Sequence, residues 1–216
     1  ETENREVLDD LVATELLSKG NYKIEQYESP DFRGIDCALL YRPDEFKILN
    51  SKPVEVVFAD DPNFKTRDIL YVKGETNNGE EFHIFVNHWP SRIGGLEQTE
   101  PKRMAVAAIL KNKIDSVLNT NSDANILVMG DMNDEPSNKS LNEVLSAGEP
   151  ELVDAGFVNL MYPVHKNKEG SYFYRGNWNM LDNIIVSAGL FDNRGLKCTQ
   201  RKGFVFSEKW MEFIDE

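Results

Sequence analysis

Apolar residues recur along this chain in two rhythms. At residues 4 to 19, NREVLDDLVATELLSK, Val7, Leu8, Leu11, Val12 and Leu16 fall at helical spacing, and Gly20 follows where helices commonly end, so an amphipathic helix is expected. The segments YKIEQYE (22–28), IDCALLYRP (35–43) and PVEVVF (53–58) are short, rich in β-branched or aromatic residues and bounded by turn formers, so each is read as a strand. RDILYVKGET (67–76) and EEFHIFVNH (80–88) flank Asn77-Asn78-Gly79, residues that tolerate the positive φ of a tight turn, and predict an antiparallel hairpin.

The longest helical pattern runs from Thr99 to Asn119, with Met104, Ala107, Ala108, Leu110, Ile114 and Leu118 apolar. Thr99 is its expected N-cap and Pro101 is expected in the first turn. NILVMGD (125–131), a short helix near 137–145, LDNIIVS (181–187) and a weaker strand GFVF (203–206) complete the pattern, and 162–180 reads as the longest irregular loop. Hairpin-connected strands interrupted by helices predict a layered α/β fold with mixed sheets.

A chain of 216 residues supports one substantial core, so a single domain is expected over 1–216. No apolar run approaches the roughly 20 residues of a membrane span. A net charge of −13 repels polyanions, so any phosphate substrate needs a local site, such as a divalent cation with a few arginines. The two cysteines lack metal-ligand spacing, and Cys37 lies in an apolar strand as a small hydrophobe. The first residue is not methionine, and the chain is expected to be a cleaved or cut piece.

Three strands end on polar chemistry. ILVMGDMNDEP delivers Asp131 and Asn133, FVNHWPSR delivers Asn87, His88, Ser91 and Arg92, and LDNIIVS opens on Asp182, a carboxylate costly to bury without a partner. Arg33 and Asp36 precede one strand, and Thr66-Arg67-Asp68 heads another, which adds a candidate cationic clamp. Taken singly, an Asp-Asn-Pro turn, a hydrogen-bonded histidine or a solvated strand-end charge explains each. Together they match what phosphoester hydrolysis requires: a base for water, charge neutralisation, and donors for phosphoryl oxygens.

In this order, with RGIDCALLYRP and TRDIL before them, these motifs resemble the endonuclease/exonuclease/phosphatase superfamily, the group of deoxyribonuclease I, abasic-site exonucleases, inositol polyphosphate 5-phosphatases and neutral sphingomyelinases. The resemblance implies a four-layer sandwich of two mixed sheets flanked by helices and a Mg²⁺-dependent (or Mn²⁺-dependent) site for a phosphodiester, DNA first, or a small phosphoester. It implies that Asp131 orients or deprotonates water, Asn133 binds phosphate and His88 donates a hydrogen bond or proton. Arg67 would hold a phosphate oxygen, with Arg33, Asn87 and Arg92 as further phosphate contacts. Asp182 would orient a histidine further along the chain, and Glu1, with Glu3 as the alternative, would ligate the metal. The family's first strand would precede Glu1 and its Ser-Asp-His motif would follow Glu216, so an incomplete active site is expected, and a non-catalytic scaffold is the competing function.

Overall fold

The computed structural model describes residues 2–151, 156–192 and 194–211. Helix α1 (Arg5–Ala13) starts where the Asn4 side chain accepts from the Val7 amide, a local N-cap. It stops well short of residue 19: Thr14 turns its amide and hydroxyl onto the Leu11 carbonyl, and a separate 3₁₀ turn covers Ser18–Gly20. Of its apolar stripe, Leu8 is buried while Val7 and Leu11 stay largely exposed.

Strands β1 (Lys23–Gln26) and β2 (Ala38–Tyr41) form an antiparallel pair. The strand expected at 53–58 lies instead at β3 (Phe46–Val54), antiparallel to β4 (Ile69–Thr76). Beyond Val54 the chain leaves the ladder, and the Val56 amide bonds the Asp68 carboxylate while Val56 and Phe58 drop into the core. An apolar run there signals burial in a loop, and Pro53 fits because β3 is an edge strand. β4 turns through residues 77–79 into antiparallel β5 (Glu81–His88), the expected hairpin.

Helix α2 (Leu96–Leu118) carries the crossover to β6 (Asn125–Asp131), which lies parallel to β5. The helix begins earlier than expected, after Gly95, so Pro101 lies beyond its first turn and Thr99 does not cap it. The Thr99 hydroxyl instead donates back to the Gly95 carbonyl at 2.7 Å. A π-helical turn occupies Ser140–Val144, followed by β7 (Ala147–Gly148) and β8 (Phe157–Asn159). The stretch read as an irregular loop is ordered: α3 (Tyr162–Lys166) leads to a small hairpin of β9 (Tyr172–Tyr174) and β10 (Asn177–Asn179). β11 (Asp182–Ser187) inserts between β6 and β8, and residues 203–206 form no strand.

The result is a mixed seven-stranded sheet ordered β3-β4-β5-β6-β11-β8-β7, with two small two-stranded sheets. Strict alternation splits its residues between faces. Ile69, Tyr71, Phe85, Ile126, Val128 and Ile185 meet Val106, Leu110, Ile114 and Val117 of α2. Leu70, Val72, Ile84 and Val86 point the other way, onto Cys37 and Leu39 beside β1–β2. This is the expected α/β architecture with sheets and helices in layers. No helix among the described residues is long and apolar enough to cross a membrane.

Candidate active site

The sheet register sets the site. His88 at the end of β5 pairs with Asp131 at the end of β6, and Asp131 pairs with Asp182 at the start of β11. Three residues from separate motifs thus stand in one row across three adjacent strands. Val86, Met129 and Ile184, two positions into the sheet, sit on the same side of the pleat.

Close strand approach makes this row. Gly130 has φ +127°, and a Cβ there would lie 2.0 Å from the Asn87 carbonyl oxygen, so only glycine lets β6 come this near β5. Beyond the strand, the Trp89 amide donates to the Asp131 carbonyl and the Met132 amide to that of Leu181. The Asn133 amide donates to Asp131 Oδ1 at 2.7 Å, an Asx turn that fixes the carboxylate, and Asn133 itself adopts φ +48°, a left-handed geometry asparagine tolerates. Its Nδ2 donates to the Trp89 carbonyl at 3.0 Å and, more weakly, to Asp131 Oδ2 at 3.4 Å. Asp131 Oδ2 faces His88 Nε2 at 3.9 Å.

Burial, reinforced by the positive charge of Arg67 and Arg33, pushes the His88 imidazole down to about 3, so it is neutral at pH 7. The Arg67 guanidinium lies beneath this corner. It is buried and donates to the carbonyls of His88 (3.2 Å) and Trp89 (2.6 Å) and to Asp31 (3.2 Å). Arg33 is half-exposed and pairs with the other oxygen of Asp31.

A cleft of about 1080 Å³ opens over the row, walled by His88, Asp131, Asn133, Asp182, Asn87 and Arg92 among others. Of the residues singled out in the sequence, these six and Ser91 converge. Arg33 and Arg67 lie outside the wall, and Glu1 lies outside the described residues. Asn87 is buried: it donates to the Phe85 and Met129 carbonyls and accepts from the Trp89 indole. Arg92 donates to the Asn133 carbonyl at 2.7 Å and reaches Asn179 and Asn138. Asp182 is exposed, so the burial cost attached to it in the sequence does not arise. The other histidines are engaged elsewhere, His83 with Tyr71 and Glu81, and His165 with Ser137 and Glu135.

Hard oxygen donors are what Mg²⁺ prefers, and Asp131 and Asp182 supply two in register. Among the described residues, however, no group of three His, Cys, Asp or Glu side chains closes into a metal site. The described donor set is incomplete for a metal, and the chemistry below follows the protein's own groups.

Three supporting residues escape the motif reading. Asp134, fully buried, pairs with Arg103 Nε of α2 at 2.8 Å and accepts from the Ser140 hydroxyl at 2.6 Å, anchoring the loop behind Asn133 to the helix. The signal was present: Arg103 continues the stripe Val106, Leu110, Ile114, Val117, so a charge there had to be buried and paired. Asp31, which gathers both Arg33 and Arg67, carries no comparable periodic signal.

No curated protein matches the chain in sequence. Its fold is similar to the human Nocturnin catalytic domain (22% identity, TM-score 0.58, 80% of this chain and 63% of that one). It is also similar to truncated Caenorhabditis elegans TDP2 (16%, 0.58, 87% and 68%) and to ANGEL2, a 2′,3′-cyclic phosphatase (14%, 0.64, 83% and 67%). The chain therefore spans less than two thirds of the Nocturnin domain's length. A model of the endonuclease/exonuclease/phosphatase family matches residues 1–216, and the chain belongs to that family.

Proposed function

We propose that this protein is a phosphoester hydrolase, acting on a phosphodiester such as DNA or on a small phosphoester by attack of water at phosphorus. The in-register row His88–Asp131–Asp182 at one cleft edge carries this reading. Asp131, held by the Asn133 amide, takes a proton from the water as its oxygen bonds to phosphorus and the bond to the leaving oxygen breaks. Solvent reprotonates the leaving oxygen. Neutral His88 fits hydrogen-bond donation to a phosphoryl oxygen better than proton donation. Asn133 offers a second donor, since its bond to Asp131 Oδ2 is the long one. Arg92 and Asn87 shape the phosphate end of the wall, and Arg67 and Arg33 act on it through charge.

Asp182 bonds neither His83 nor His165 in the contacts described above, so its assigned role of orienting a histidine rests on family resemblance. A requirement for Mg²⁺ or Mn²⁺, with Glu1 as a ligand, belongs to this proposal on the same ground. Among similar folds, D. rerio TDP2 is described in complex with a single-strand DNA product and a Bacteroides thetaiotaomicron protein as a mannosyl-6-phosphatase, so both substrate classes are worth assaying. The test is hydrolysis of plasmid DNA and of a chromogenic phosphodiester by the full-length protein, with Mg²⁺ and with EDTA. Turnover abolished by EDTA is expected. A folded protein inactive on both substrates at any metal concentration would favour a binding or scaffolding role.

A further inference from the structure

The cleft is also walled by the β9–β10 hairpin, and its aromatic rings do little for the core. Tyr172, Phe173, Tyr174 and Trp178 are each about half exposed. Alternation divides them: Phe173 pairs with Trp178 across the hairpin on one face, ring centroids 5.1 Å apart, while Tyr172 and Tyr174 share the face that lines the cleft. Those two rings lie 6.0 Å apart and within 14° of parallel, and the Arg175 guanidinium sits over Tyr174 at 5.1 Å. The hairpin is held stiffly. Its two turn residues, Arg175 and Gly176, both have positive φ, as a tight two-residue turn needs. Asn179 accepts from Arg92, and Ser171 accepts from the Asp182 amide, so both strands are tied to the phosphate end.

We infer that Tyr172 and Tyr174 form a stacking wall for the nucleobase of a nucleotide ester whose phosphorus lies at the His88–Asp131 row; this rests on the hydrolase reading above. Two half-exposed, near-parallel rings lining the cleft, with a guanidinium that also lines it over one of them, offer a flat aromatic and cationic surface to a planar partner, which a puckered sugar ring matches less well. The cleft, at about 1080 Å³, is far larger than a phosphate needs. A net charge of −13 disfavours long polyanions, so the ligand is a mononucleotide or a short end.

Calorimetric titration of the full-length protein in Mg²⁺ buffer with AMP, ribose 5-phosphate, glucose 6-phosphate and inorganic phosphate tests this. AMP is expected to bind on the order of tenfold tighter than ribose 5-phosphate, the usual scale of one base–aromatic stack. The double variant Tyr172→Ala/Tyr174→Ala should erase that difference and leave phosphate binding unchanged, whereas Phe173→Ala, on the opposite face, should preserve it. Equal affinity for AMP and ribose 5-phosphate would overturn the stacking wall while phosphate binding still stood for the hydrolase reading. Tyrosine-dependent preference for glucose 6-phosphate would replace the nucleobase with a sugar. Failure of phosphate and all three esters to bind would overturn both readings.

Discussion

His88 is held neutral by burial and by neighbouring guanidinium groups, and this ties its protonation to stability. Its folded value of about 3 lies below the unfolded value near 6.5, so the unfolded chain binds more protons between the two. Its contribution is complete above about pH 6.5 and falls as pH drops toward 3, by about 2 kcal/mol at pH 5. Urea midpoints at pH 7.5 and pH 5 should show that loss, and His88→Gln should shrink it; an unchanged pH dependence in the variant would place His88 in a more solvated setting. Gly130 is the second sensitive residue. Gly130→Ala puts a Cβ against the Asn87 carbonyl in a backbone conformation L residues avoid, so a loss of at least about 2 kcal/mol is expected by urea denaturation, with activity falling alongside.

At the scale of elements, α2 acts on the site through the Arg103–Asp134 pair. Arg103→Met leaves the buried Asp134 carboxylate with the Ser140 hydroxyl and, more distantly, the Arg92 guanidinium at 3.7 Å, and is expected to cost about 3 kcal/mol, the low end for a broken buried pair because Arg92 still offsets part of the charge. Thermal denaturation should show it, and a neutral result would mean that water reaches Asp134. The β4–β5 hairpin, α2 and the three strand ends were legible because period and turn chemistry agree there. β3 was misplaced because Val56 and Phe58 are buried without belonging to a strand, so hydrophobicity pointed to the wrong segment. The β9–β10 hairpin hid behind its polar turn, although Arg175-Gly176 flanked by aromatic residues carried a turn signal. Register is the part no local pattern supplies: Asp131 and Asp182 are adjacent because β11 inserts beside β6, far from it in sequence.

Over the whole molecule, the proposed phosphoester substrate would meet an acidic protein. With a charge of −13, long-range steering opposes DNA approach, and salt screens that repulsion over about 8 to 10 Å at ordinary ionic strength. Between 50 and 200 mM salt, kcat/KM on DNA should therefore hold or rise, whereas a basic binder loses affinity steeply. A steep fall would reveal a cationic track across the cleft. The role of Asp131 as the base is tested most directly by kcat for a phosphodiester in the full-length protein and its Asp131→Asn variant, with urea midpoints taken on both. A fall of at least about 100-fold at unchanged stability is expected, the scale of one lost general base. Turnover within a few-fold of the parent in a correctly folded variant would contradict it and move the chemistry away from the His88–Asp131–Asp182 row.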